Sequence, residues 1–107
     1  MVDHLSPDQL DARLRADDPP VLVDVREDWE RELATIPRSQ QHLPMSELPA
    51  RLDELPRDRA LALYCHHGSR SEQVAMWLEA QGYGPLANLE GGIERWSDHD
   101  PEVPRYQ

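Results

Sequence analysis

The stretch Leu61-Ala62-Leu63-Tyr64-Cys65-His66-His67-Gly68-Ser69-Arg70-Ser71 decides how this chain folds. With Ala60 in front of it, the apolar half follows a turn, Pro56-Arg57-Asp58-Arg59. A short aliphatic run between breakers reads as a buried strand. The second half is polar and contains a glycine, so it predicts a tight loop rather than core. From Ser71 to Gln81 the pattern is helical, with Val74, Ala75 and Leu78 on one face and Gly82 as the stop.

The same alternation continues outward. Val21-Leu22-Val23-Asp24-Val25 is a second buried strand. Before it, Ser6-Pro7-Asp8-Gln9 predicts a helix start, with Ser6 as N-cap, Pro7 at the first position and Gln9 closing a capping box. Leu10 and Leu14 form the apolar face of this helix, which runs to about Ala16 before Asp17-Asp18-Pro19-Pro20 ends it. Leu48, Leu52 and Leu55 predict a helix over residues 46–55, with Pro49 tolerated in its first turn. Residues 26–32 are densely charged, and residues 36–44 read as loop with one short strand. Toward the C-terminus come a strand at Leu86–Leu89, a Gly91-Gly92 turn, a helix from Ile93 to about Ser97 and a polar tail. Strands alternating with helices predict an α/β fold, a mainly parallel sheet covered on both faces. The 107 residues suffice for a single domain, 1–107.

In such sheets ligands bind beyond the carboxyl ends of the strands. Cys65 is the one reactive side chain placed there. A tight loop leading into a helix turns backbone N–H groups toward one point, and the helix N-terminus adds its dipole. Such a cradle favours an anionic sulfur, and the thiolate is the nucleophilic form. Arg70 adds a cation close in sequence. A buried structural cysteine is the commoner case, but the polar residues that follow this one argue against it.

Charge and composition narrow the function. Eleven basic residues against 21 acidic ones give a net charge of −10. A nucleic-acid partner or an anionic membrane surface is therefore not expected. No apolar run is long enough to span a bilayer, and the opening MVDHLSPDQL lacks the features of a signal peptide. A single cysteine excludes an internal disulfide and a cysteine-rich zinc site, so a cytoplasmic location is expected. Every basic side chain among Lys and Arg is arginine, which removes lysine-based Schiff-base chemistry. No metal is expected. His66 and His67 are adjacent and lack a second ligand cluster, and His4, His42 and His99 are scattered singly. Ser69 and Ser71 read as caps for the following helix, and Trp29, Trp77 and Trp96 as packing residues.

Several of these segments carry a family resemblance. Tyr64 to Ser71 resembles the active-site loop of rhodanese-like sulfurtransferases. Leu22-Val23-Asp24-Val25-Arg26-Glu27, His42-Leu43-Pro44-Met45 and Asn88 to Trp96 are similar to three further segments of that family, in the same order. The tail, Asp100 to Tyr106, is similar to that of bacterial single-domain members. The resemblance implies a rhodanese-like sheet of about five strands. It implies a Cys65 persulfide that takes sulfur from a small anion such as thiosulfate and passes it to a thiol, cyanide or a protein. The residues His66, His67, Gly68, Ser69, Arg70 and Ser71 would hold the donor and the persulfide, through their backbone N–H groups and side chains. Asp24 and Arg26 would brace the site, with Arg26 paired to Glu27, Glu30 or Glu72. No cofactor is implied. A dedicated sulfur carrier or an interaction module with little turnover is the alternative, and the retained cysteine favours the enzyme.

Two details bear on that resemblance. Phosphatase members of the fold place five residues between cysteine and arginine, whereas four stand between Cys65 and Arg70 here, a ring sized for sulfur. The family usually has glycine before its His-Ile-Pro stretch, and residues 33–41 contain none, so that loop is expected to differ.

Overall fold

A computed structural model describes residues 2–106. Five strands form one sheet: β1 Val2–Leu5, β2 Val21–Asp24, β3 Gln41–His42, β4 Leu61–Tyr64 and β5 Leu86–Leu89. Their order is β1-β5-β4-β2-β3, and every pairing is parallel. Four α-helices accompany them: α1 Pro7–Leu14, α2 Asp28–Leu33, α3 Ser69–Ala80 and α4 Gly92–His99.

Period-two alternation sorts the strand residues between two cores. Val21, Val23, Leu61, Leu63 and Leu86 pack on one face with Val74, Ala75 and Leu78 of α3 and with Leu48 and Leu55. Leu22, Ala62, Tyr64, Ala87 and Leu89 pack on the other with Leu10 and Leu14 of α1 and with Ile93 and Trp96 of α4. All four residues of β2, β4 and β5 are buried, as expected for inner strands of a sheet covered on both faces. This register puts Cys65, which directly follows β4, on the α3 face.

The predicted capping box is present: Gln9 N–H donates to Ser6 Oγ, and Ser6 N–H donates to Gln9 Oε1. Elsewhere the structure departs from expectation. The helix expected over 46–55 is a 3-10 stretch, Leu48–Glu54, kinked at Arg51. β1 and α2 carried no clear signal. β1 is an edge strand with only Leu5 buried, and the one buried residue of α2 is Glu30. In the glycine-free segment Arg38 takes the left-handed conformation, with φ 74°. Among the described residues no helix is long and apolar enough to cross a membrane.

Candidate active site at the β4–α3 loop

Cys65 sits at the carboxyl end of β4 and is 1% exposed. The chain then turns through Gly68, whose φ of 105° is open chiefly to glycine, and enters α3 at Ser69. This turn brings the Gly68 N–H to 3.1 Å and the Ser71 N–H to 3.4 Å from Cys65 Sγ. The Ser71 hydroxyl lies 3.4 Å from the same sulfur. Of the N–H groups expected in the cradle, those of Gly68 and Ser71 reach the thiol.

The loop carbonyls point the other way. Cys65 O accepts from the Ile93 N–H at 2.9 Å and His66 O from the Glu94 N–H at 3.0 Å. The first turn of α4 therefore takes up the carbonyls and leaves the amides free to face the sulfur. A Cβ on Gly92 would lie 2.4 Å from His66 O and 2.5 Å from Cys65 O, so only glycine admits this contact.

Ser71 does not cap α3. The N-cap is Gly68, with no side-chain cap. The Ser71 hydroxyl instead faces Cys65 Sγ, Gly68 O and Asn88 Oδ1. Asn88, 3% exposed on β5, also donates from Nδ2 to Gly68 O at 3.3 Å. A polar side chain is buried there because both its ends are paired to the loop. Sequence reasoning passed over Asn88, although a lone polar residue in a buried apolar strand was the available signal.

Behind the loop lies a buried ionic network. Arg26 and Asp24 are both fully buried and joined by two bonds, Nε to Oδ1 at 2.9 Å and Nη2 to Oδ2 at 2.7 Å. The partner of Arg26 is thus Asp24, not the carboxylate of Glu27, Glu30 or Glu72. Glu30 meets Arg26 only through its backbone carbonyl, at 3.3 Å. Arg26 also donates to the Ala34 carbonyl and to the Tyr106 hydroxyl. Burial alone would raise the Asp24 pKa, but the hydrogen bonds and charge of Arg26 bring it below the ordinary value.

Arg70 is turned onto Glu30, with Nη1 and Nη2 at 2.7 and 2.8 Å from its two oxygens. Its charge is balanced there, and the pair ties the start of α3 to α2. Tyr106 joins the two ion pairs: its hydroxyl accepts from Arg26 at 3.0 Å and donates to Glu30 at 2.8 Å. Burial raises the Glu30 pKa, and the bonds from Arg70 and Tyr106 outweigh it, holding the carboxyl at about 2.

His66 is stacked between His67 and Tyr106, with ring centroids 3.9 and 4.0 Å away. A cleft of about 460 Å³ opens beside this stack, lined by His66, His67, Glu94, Arg105 and Tyr106. The donor atoms of His66, His67 and Glu94 lie within 4.8 Å of one another. Arg105 holds one Glu94 oxygen at 2.9 Å, and the other lies 3.4 Å from His66 Nε2. Ser69 begins α3 with its side chain exposed to solvent.

Strand, cysteine loop and two helix N-termini thus define a parallel α/β domain in which backbone N–H groups converge on one buried thiol. The rhodanese-like domain profile matches residues 6–99, and the chain belongs to that family. It is 40% identical over 99 residues to a sulfurtransferase of Allochromatium vinosum, covering 92% of each chain. It is 33% identical over 81 residues to the thiosulfate sulfurtransferase GlpE of Coxiella burnetii, covering 76% of this chain and 75% of that one. Among solved structures, a rhodanese-like domain protein from Staphylococcus aureus matches with a TM-score of 0.82 at 29% identity, covering 99% of this chain and 100% of that one.

Proposed function

We propose that the protein is a sulfurtransferase in which Cys65 carries the transferred sulfur as a persulfide. The supporting observation is the cradle itself: a thiol at a strand end with the Gly68 and Ser71 N–H groups aimed at its sulfur. Fixed N–H dipoles stabilise a negatively charged sulfur without reorganising.

In the first half-reaction the Cys65 thiolate attacks the sulfane sulfur of a donor such as thiosulfate. A new S–S bond forms, the donor's S–S bond breaks, and sulfite leaves with the electron pair. In the second half-reaction an acceptor (a thiolate, cyanide or a protein thiol) attacks the outer sulfur and Cys65 leaves as thiolate. Atoms and charge balance without metal or organic cofactor. Gly68 and Ser71 hold the sulfur, and Asn88 fixes the loop carbonyl and the Ser71 hydroxyl. His66, His67, Ser69 and Arg70 shape the mouth, and Asp24 with Arg26 braces it from behind. A lone thiol suits a reducing compartment such as the cytosol.

Mass measurement of the intact protein tests this directly. Thiosulfate treatment is expected to add one sulfur atom, and Cys65→Ser to abolish both the adduct and turnover to cyanide. Aryl phosphates are expected to be left intact by the four-residue loop. Undiminished turnover in the serine variant, or efficient phosphate hydrolysis without sulfur transfer, refutes the assignment.

A further inference from the structure

The outer face of α2 stands apart from the rest of the surface. Among the described residues the exposed large hydrophobic side chains are Trp29, Leu33 and Met76, and the first two belong to this six-residue helix. Trp29 is 56% exposed and Leu33 49%. Spaced four residues apart, they share one side of the helix. Sequence pattern marked Trp29 for packing, yet it stands largely open to solvent, its ring meeting Tyr106 edge-on at 6.3 Å between centroids. Side by side on one helix face they form a small contiguous apolar patch rather than scattered single residues, and tryptophan is enriched among the residues that anchor protein interfaces.

The charge around this pair has one sign. Asp28 and Glu32 are exposed on the same helix and are also four residues apart. The one cation of α2, Arg31, is folded inward, donating to Asp24 at 3.1 Å and to Ser39 at 3.2 Å. Beside the helix, the Arg70 charge is consumed by Glu30. The outer face of α2 therefore presents two apolar side chains flanked along one side by two carboxylates, of which Asp28 lies 3.6 Å from the His42 ring and neither is paired with an arginine of the helix.

This face is continuous with the site. Glu30, on the inner side of α2, grips Arg70 of the cysteine loop, and Trp29 abuts the Tyr106 ring that stacks on His66. A molecule seated on Trp29 and Leu33 sits one aromatic contact away from the loop.

Resting on the sulfur-transfer reading above, we infer that the outer face of α2 docks the sulfur acceptor, a protein that presents its thiol beside a basic, apolar-centred surface. Apolar contact supplies the anchor, and the carboxylates speed encounter and select the sign of the partner. The chemical step is unchanged: the partner's thiolate attacks the outer sulfur of the Cys65 persulfide and leaves as a persulfide, while Cys65 returns to thiolate.

Charge reversal tests the docking. Two synthetic peptides serve as acceptors, each with one cysteine and a leucine pair, one flanked by lysines and the other by glutamates at the same positions. After loading with thiosulfate, the protein is expected to pass sulfur to the lysine peptide at least tenfold faster at low salt. The advantage should shrink as salt screens the charges. The double variant Asp28→Lys/Glu32→Lys is expected to invert the preference, and Leu33→Ser to slow the lysine peptide while transfer to cyanide stays as in the parent. Equal rates for the two peptides, or a preference that survives the charge reversal, overturns the docking surface. Loss of transfer to cyanide in the parent protein would overturn the sulfur-transfer reading instead, so the two failures are distinguishable.

Discussion

Arg38 carries a conformational demand that its side chain cannot meet freely. Its φ of 74° lies in the left-handed region, where a Cβ crowds the backbone at a cost of about 1–2 kcal/mol. The missing glycine in residues 33–41 was visible in the sequence, but the position that would bear the strain was not. Arg38→Gly relieves the crowding and loosens the unfolded chain by about 0.5–1 kcal/mol. The net expectation is a gain in unfolding free energy of up to about 1 kcal/mol, read by urea denaturation, with sulfur transfer unchanged. A loss of stability would mean that the arginine makes contacts worth more than its backbone strain. Cys65 was legible for the opposite reason: a nucleophile between an apolar strand and a polar, glycine-containing loop announces itself by type and place. Asn88 was not, because its role rests on pairing with Ser71 across 17 residues of sequence. The side chain of Arg70 was placed by charge alone, and charge alone could not show that Glu30 would claim it.

Elements differ in how much of themselves they show in sequence. β2, β4 and β5 are buried on both faces and read as continuous apolar runs. β1 is an edge strand whose Asp3 and His4 face solvent, so its pattern is faint. α2 lacks an apolar stripe, because it turns a glutamate inward to meet Arg70 and leaves Trp29 and Leu33 outside. The first turn of α4 showed its Gly91-Gly92 pair, but its purpose appears only in three dimensions, where Gly92 lets the helix start against the cysteine loop. Gly92→Ala tests that purpose. Its φ of 62° already disfavours a side chain, and the new Cβ meets two backbone oxygens. Helix and loop must part, which withdraws the Ile93 and Glu94 N–H groups from the loop carbonyls. A destabilisation of roughly 2–4 kcal/mol is expected. Where the variant still folds, sulfur transfer should drop by more than tenfold and Cys65 should alkylate at an altered rate. A folded variant with parental activity would show that the cysteine loop keeps its shape without α4.

At the scale of the whole molecule, the buried ion pairs set how the fold responds to pH. Asp24 and Glu30 both titrate below their ordinary values, Glu30 at about 2 against an ordinary 4.5. A carboxyl whose pKa is depressed by folding contributes stability that is complete above its unfolded value and is lost as pH falls toward the folded one. Stability should thus hold from neutrality down to about pH 5 and then decline steeply between about pH 5 and pH 2. From the Glu30 shift, its share at neutral pH is roughly 2–4 kcal/mol. Tyr64 and Tyr106 move the other way. Burial, joined by the charge of Asp24 for Tyr64, pushes both up to about 12 from an ordinary 10. Their neutral hydroxyls remain donors at physiological pH, and their contribution fades as pH rises from about 10 to 12. Glu30→Gln keeps the shape of the side chain and removes the titration. It leaves Arg70 without its balancing charge, so stability at pH 7 should fall by an amount comparable to the Glu30 share. The acid limb should flatten to the slope that Asp24 and the surface carboxyls Asp11 and Glu54 support. Urea unfolding of parent and variant across pH 3–8 measures both quantities. An acid limb of undiminished slope in Glu30→Gln would show that other carboxyls carry the acid sensitivity and that the Glu30–Arg70 pair is not what joins α2 to the cysteine loop.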